Sequence, residues 1–162
     1  MIETKVQGLT SREKLESMVR VIRAQTDSEK DPLAQAANAT AIMDAYLDDI
    51  NWIGFYIMRD GELVLGPFQG RAACTRIKVG QGVCGTSVQE ASTMLVPDVD
   101  AFPGHIVCDS ASRSEVVVPV FHHGTVIAVL DCDSPSLERF TASEAEALEK
   151  VAALLAPAIA EL

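Results

Sequence analysis

The chain has 162 residues, 48% of them hydrophobic, and a formal charge of −10. That length suits one domain spanning residues 1–162, which buries on the order of two-thirds of its unfolded-chain surface and needs no disulfides to hold a core. The apolar content argues against disorder, and the negative charge makes nucleic acid and anionic membranes poor partners. No apolar run approaches the length of a membrane span and no signal-peptide pattern opens the chain, so the expected location is the cytoplasm, where thiols stay reduced unless they cycle.

The first third reads as helix. Thr10 and Glu13 have capping-box spacing, and Leu15, Met18, Val19 and Ile22 follow on one helical face. Asp31-Pro32 opens a second helix, with Asp as cap and Pro at the first helical position, running to about Asp48. The middle reads as sheet. Strands are expected at 51–58, 62–68, 75–79 and 94–96, with a glycine-rich loop and a short helix at 86–90 between the last two. A loop-rich stretch over 101–114 leads to a hairpin of strands 115–120 and 125–131. Thr141 and Glu144 form a second capping box for a closing helix, which Pro157 is expected to kink or shorten. The order predicts an α+β fold: a mostly antiparallel central sheet with N- and C-terminal helices packed on one side and loops carrying the active site on the other.

Four cysteines are more than such a fold requires. Their pattern, C-x9-C-x23-C-x23-C, has no close-spaced pair, so neither a zinc cluster nor a C-x-x-C exchange motif is expected. Cys108 lies in a polar loop, where a partly exposed thiol ionises and attacks. Cys74 and Cys84, on neighbouring loops, are both candidates to resolve its oxidised product as a disulfide. Cys132 lies on an expected central strand, pointing opposite to Asp131 and Asp133, and reads as a buried bystander.

The segment Gly80-Gln-Gly-Val-Cys-Gly85 matches G-x-G-x-x-G, but the following helix is too short for a dinucleotide crossover. A turn whose free amides face a small carboxylate is the better reading. Asp131 and Asp133 share one strand face, and Glu115 begins the neighbouring strand. Carboxylates gathered there repel one another unless a cation, such as an amino group, joins them or one stays protonated as an acid. Trp52 and Tyr56 share a strand face that could wall an apolar slot.

Gly66-Pro-Phe-Gln-Gly70, Cys74, Gly80 to Thr86, Asp98-Val99, Gly104-His105, Cys108-Asp109, Ser114-Glu115 and Val129 to Ser134 together resemble the free methionine-(R)-sulfoxide reductases, single-domain enzymes with the GAF fold. The resemblance covers essentially the whole chain. It implies an oxidoreductase that reduces the R epimer of free methionine sulfoxide, without a cofactor or a metal. It implies Cys108 as the nucleophile, passing through a sulfenic acid, Cys74 as its disulfide partner and Cys84 as a second or relay thiol. Thioredoxin would be the reductant. Trp52 and Tyr56 would surround the substrate's methyl end, while Glu115, Asp131 and Asp133 would hold its ammonium and protonate the sulfoxide oxygen. Pairing of two copies through the terminal helices is a further expectation. A ligand-sensing GAF domain is the alternative, and the matching cysteines favour the reductase, because many sensors lack them.

Overall fold

Both capping boxes form. Helix α1 (Ser11–Ser28) is capped by Thr10 with Glu13, and the last helix, α4 (Ala142–Glu161), by Thr141 with Glu144. Each hydroxyl takes an otherwise unpaired amide of the first turn, worth about 1 kcal/mol. Asp31 caps α2 (Pro32–Tyr46) by accepting from the Ala34 amide at 2.8 Å. The structure, a computed structural model, describes residues 8–162.

Six strands form one antiparallel sheet: β1 (Trp52–Arg59), β2 (Glu62–Gly70), β3 (Arg76–Lys78), β4 (Met94–Val96), β5 (Ser114–His122) and β6 (Thr125–Ser134). Their spatial order is β3-β2-β1-β6-β5-β4. Strand alternation sorts the side chains to two faces. Ile53, Phe55, Ile57, Val116, Val118, Leu130 and Cys132 pack under α1, α2 and α4, with Met18, Ile22, Met43, Leu148, Val151 and Leu155. Trp52, Tyr56, Val117 and Val129 point the other way, toward Ile77, Val83, Cys84, Val96 and Val99. That second face is covered by α3 (Gly82–Glu90) and by the loops flanking it.

The sequence reading is corrected at four places. The third strand is trimmed to Arg76–Lys78. The short helix starts at Gly82, four residues before the expected Thr86, so Cys84 is on a helix and not on a loop. Glycine permits this fusion of turn and helix: Gly80 and Gly82 take φ of +81° and +61°, and a Cβ on Gly85 would lie 2.3 Å from the Lys78 carbonyl oxygen. The hairpin strands are longer than expected, Ser114–His122 and Thr125–Ser134, so Asp131 and Asp133 both lie within β6. Finally, α4 continues past Pro157 to Glu161; burial of Ala158 and Ile159 offsets the backbone bond that proline forfeits.

Candidate active site

Strand register builds the site floor. Asp133 of β6 lies opposite Trp52 of β1 on one side and Glu115 of β5 on the other, while Asp131 lies between Gly54 and Val117. All of these side chains face α3 and the loops. Glu115 and Asp131 are each only 6% exposed. Cys84, projecting from the first turn of α3, brings its Sγ to 4.0 Å from Glu115 Oε1. The donor atoms of Cys84, Glu115 and Asp131 all lie within 4.8 Å of one another. Asp131 Oδ1 finds no hydrogen-bond partner among the described residues, although it is fully buried.

Such a cluster cannot remain fully ionised at neutral pH. Burial pushes Glu115 well above the usual carboxylate range, and the charges of Asp131 and Asp133 push it further. Asp133 moves the same way through burial, Asp131 and Asp109. Burial raises Asp131 to about 6, held back by hydrogen bonds with Cys84 and Glu115. Cys84 is raised by burial and then by the same carboxylates, so its thiol stays protonated. Asp131 is therefore the carboxyl that ionises most readily of the three, and Glu115 and Asp133 are pushed further toward their protonated forms.

Above this floor, Cys74 and Cys108 form a disulfide, with Cα atoms 5.3 Å apart and 34 residues between them in sequence. Cys84 and Cys132 are free and buried. Three hydrogen bonds fix the disulfide's supports. The Tyr56 hydroxyl donates to the Cys74 carbonyl at 2.9 Å. Asn51 Nδ2 donates to Asp109 Oδ2 and to Ser112 Oγ, both at 3.1 Å, fastening the Cys108 loop to the head of β1. Between disulfide and floor is a cavity of about 40 Å³, lined by Tyr56, Gly82, Val83, Cys84, Cys108, Glu115, Asp131 and Asp133 among others. That is room for a few water molecules.

The start of α3 opens into this cavity. Gln81 supplies no side-chain cap, and the amides of the helix's first turn have no partner within the helix. The amides of Gly80, Gln81 and Gly85, in contrast, are bonded back to Gly85, Lys78 and Gln81. Any anion seat therefore lies on the helix start at Gly82 to Cys84, rather than at Thr86.

The family model of the GAF domain matches residues 31–159. A free methionine-R-sulfoxide reductase of Escherichia coli is 48% identical over 128 residues, 79% of this chain and 78% of that one. The chain belongs to the free methionine-R-sulfoxide reductase family of GAF domains. A family member of Saccharomyces cerevisiae is 39% identical, covering 91% of this chain and 87% of its own. The crystal structure of the Neisseria meningitidis reductase in complex with its substrate superposes with a TM-score of 0.93 at 38% identity, over 99% of this chain and 96% of that one.

Of the residues singled out from sequence, Cys74, Cys84, Cys108, Glu115, Asp131, Asp133 and Tyr56 are brought together by the fold. Trp52 is not among the cavity-lining residues: it stacks between Tyr56 and Phe68, at centroid distances of 5.7 and 5.4 Å, and donates its indole N–H to the Arg71 carbonyl. Asn51, Asp109 and Ser112 were missed. Asp109 also bonds the Ala111 amide, and the Asp-Ser-Ala-Ser run after Cys108 carries that turn signal. Its link to Asn51, 58 residues away, has no local signature.

Proposed function

We propose that this chain reduces free L-methionine-(R)-sulfoxide to methionine in the cytoplasm, using Cys108 as nucleophile and thioredoxin as reductant. The observation that carries this reading is the Cys74–Cys108 disulfide lying over a buried carboxylate cluster in which burial and mutual repulsion push Glu115 and Asp133 toward their protonated forms.

The Cys108 thiolate attacks the sulfoxide sulfur. Oxide is a very poor leaving group, so Glu115 or Asp133, each kept protonated by burial and neighbouring charge, gives a proton to the sulfoxide oxygen. The oxygen passes to Cys108 as a sulfenic acid and methionine departs, two electrons richer. The Cys74 thiol then attacks Cys108 Sγ, water leaves, and the disulfide forms. A thioredoxin dithiol reduces it by exchange. Asp131, the most readily ionised carboxyl, holds the substrate ammonium, and the open amides at the start of α3 receive its carboxylate. Gripping both charged ends excludes a methionine within a chain.

The small cavity fits the oxidised stage of this cycle, in which the Cys74–Cys108 bond ties the two loops together above the floor. We read Cys84 as a protonated wall of the pocket in preference to a relay thiol, because burial among carboxylates raises its pKa and disfavours its thiolate.

The test supplies the R and S epimers of free methionine sulfoxide separately, with thioredoxin, its reductase and NADPH. Consumption of NADPH with the R epimer alone is expected. No turnover of the R epimer overturns the proposal and favours a ligand-sensing domain.

A further inference from the structure

Cys84, Glu115 and Asp131 form a mixed sulfur and oxygen donor set whose atoms lie within 4.8 Å of one another. A point among three such atoms is about 2.8 Å or less from each, so small side-chain rotations bring all three to the roughly 2.0–2.3 Å of zinc–sulfur and zinc–oxygen bonds. Cys84 Sγ and Glu115 Oε1, at 4.0 Å, are already close to the separation of two ligands on one tetrahedral ion. Asp131 supplies a second observation that points to a ligand. Its Oδ1 is buried with no partner among the described residues, and the residue is 6% exposed. His105 Nδ1, on the wall of the same cavity, is likewise unpartnered. The cavity gives a water access to the fourth coordination position.

We propose that Cys84, Glu115 and Asp131 constitute a binding site for one thiophilic divalent cation of the zinc class, which occupies the same acidic seat as the substrate ammonium. A thiolate and two carboxylates select zinc or cadmium over magnesium or calcium, which take all-oxygen shells. Ion and substrate then exclude each other. This last consequence rests on the reductase reading above; the binding site does not.

The disulfide form of the protein makes a clean test. In it Cys74 and Cys108 are spent, and Cys132 lies on the opposite face of the sheet under the helices, so Cys84 is the one thiol facing the cavity. Titration with Cd²⁺ is expected to produce a sulfur-to-cadmium charge-transfer band that saturates at one equivalent. The band should vanish in Cys84→Ser, persist in Cys132→Ser and require roughly tenfold or more Cd²⁺ in Asp131→Asn. No band at stoichiometric Cd²⁺, or a band retained by Cys84→Ser, overturns the site. Co²⁺ on the unmutated protein guards against a misfolded variant: an intense tetrahedral spectrum with a thiolate band is expected, and a pale octahedral one overturns the proposal. Preloading the reduced protein with one equivalent of Zn²⁺ should slow single-turnover methionine release. If the charge-transfer band forms while release is unchanged, the competition is wrong and the site stands. If the R epimer is no substrate, the cadmium titration still decides the site.

Discussion

The two faces of the sheet treat the same chemistry in opposite ways. On β6, Asp131 and Asp133 point to the loop side and Cys132, between them, to the helix side. Cys132 is fully buried among Ile53, Val116 and α4, where a thiol is only a small apolar body. Cys84 is nearly as buried but is surrounded by carboxylates, and its proton belongs to an interacting cluster. Burial alone therefore does not make a cysteine inert or useful. The side chains across the cavity decide, and strand parity decides which side chains those are.

The largest effects are expected from the loop face. Cys108→Ser should abolish methionine release even in a single turnover with the R epimer, because no thiol remains to take the oxygen. Cys74→Ser should keep that first release and stop thioredoxin-driven cycling. Quantifying methionine with and without the thioredoxin system separates the two variants. If Cys74→Ser cycles normally, Cys74 is not the resolving thiol and the role reverts to Cys84.

The next prediction sets function against stability on that face. Asp131 is raised to about 6 in the folded protein, from about 3.9 for an unperturbed aspartate. A raised acid binds more protons folded than unfolded, so its stabilising contribution is complete below about pH 4 and is lost as pH rises through about 6. Glu115 and Asp133 shift in the same direction. Thermal stability should fall as pH rises from about 4 through about 6, and Asp131→Asn should flatten that part of the fall. At pH 8 the variant should gain up to about 3 kcal/mol while binding the sulfoxide poorly. Melting curves across pH check this; an Asp131→Asn profile parallel to that of the unmutated protein would mean the cluster carries no strain.

What could be read from the chain follows from how local each signal is. Both capping boxes and the Asp31-Pro32 start were legible because three or four adjacent residues define them. The convergence of Glu115, Asp131 and Asp133 was legible because it needs only period-2 parity and one hairpin. The start of α3 was not, since glycines at 80, 82 and 85 read as loop by propensity, and only close packing on Lys78 turns them into a helix entry. The pairing of Cys74 with Cys108 was open from the residues themselves, and the resemblance alone named it. It depends on the Cys108 loop folding back onto β1 through Asn51, Asp109 and Ser112, a latch spanning 58 and 61 residues. Trp52 shows the limit of parity: it shares the face of Tyr56, but Phe68 and the Arg71 carbonyl hold it beside the cavity rather than in its lining.

The smallest effect sharpens the contrast between faces. Cys132→Ala removes one sulfur from a packed apolar layer with no polar partner to orphan, so the cost is a small cavity of about 1 kcal/mol. Cys132→Ser should cost more, about 1–3 kcal/mol, because its hydroxyl would be buried beside Ile53 and Val116 in the apolar layer. Neither substitution should change the single-turnover yield of methionine or the ratio of R to S epimer reduced, since backbone bonds that the side chain does not make keep Asp133 in register with Trp52 and Glu115, and Asp131 with Gly54 and Val117. Denaturant melts and the epimer assay on the same preparations check both halves. Loss of turnover in Cys132→Ala with normal stability would mean that the helix face communicates with the site through β6, and that the division of labour between the two faces is less complete than strand parity implies.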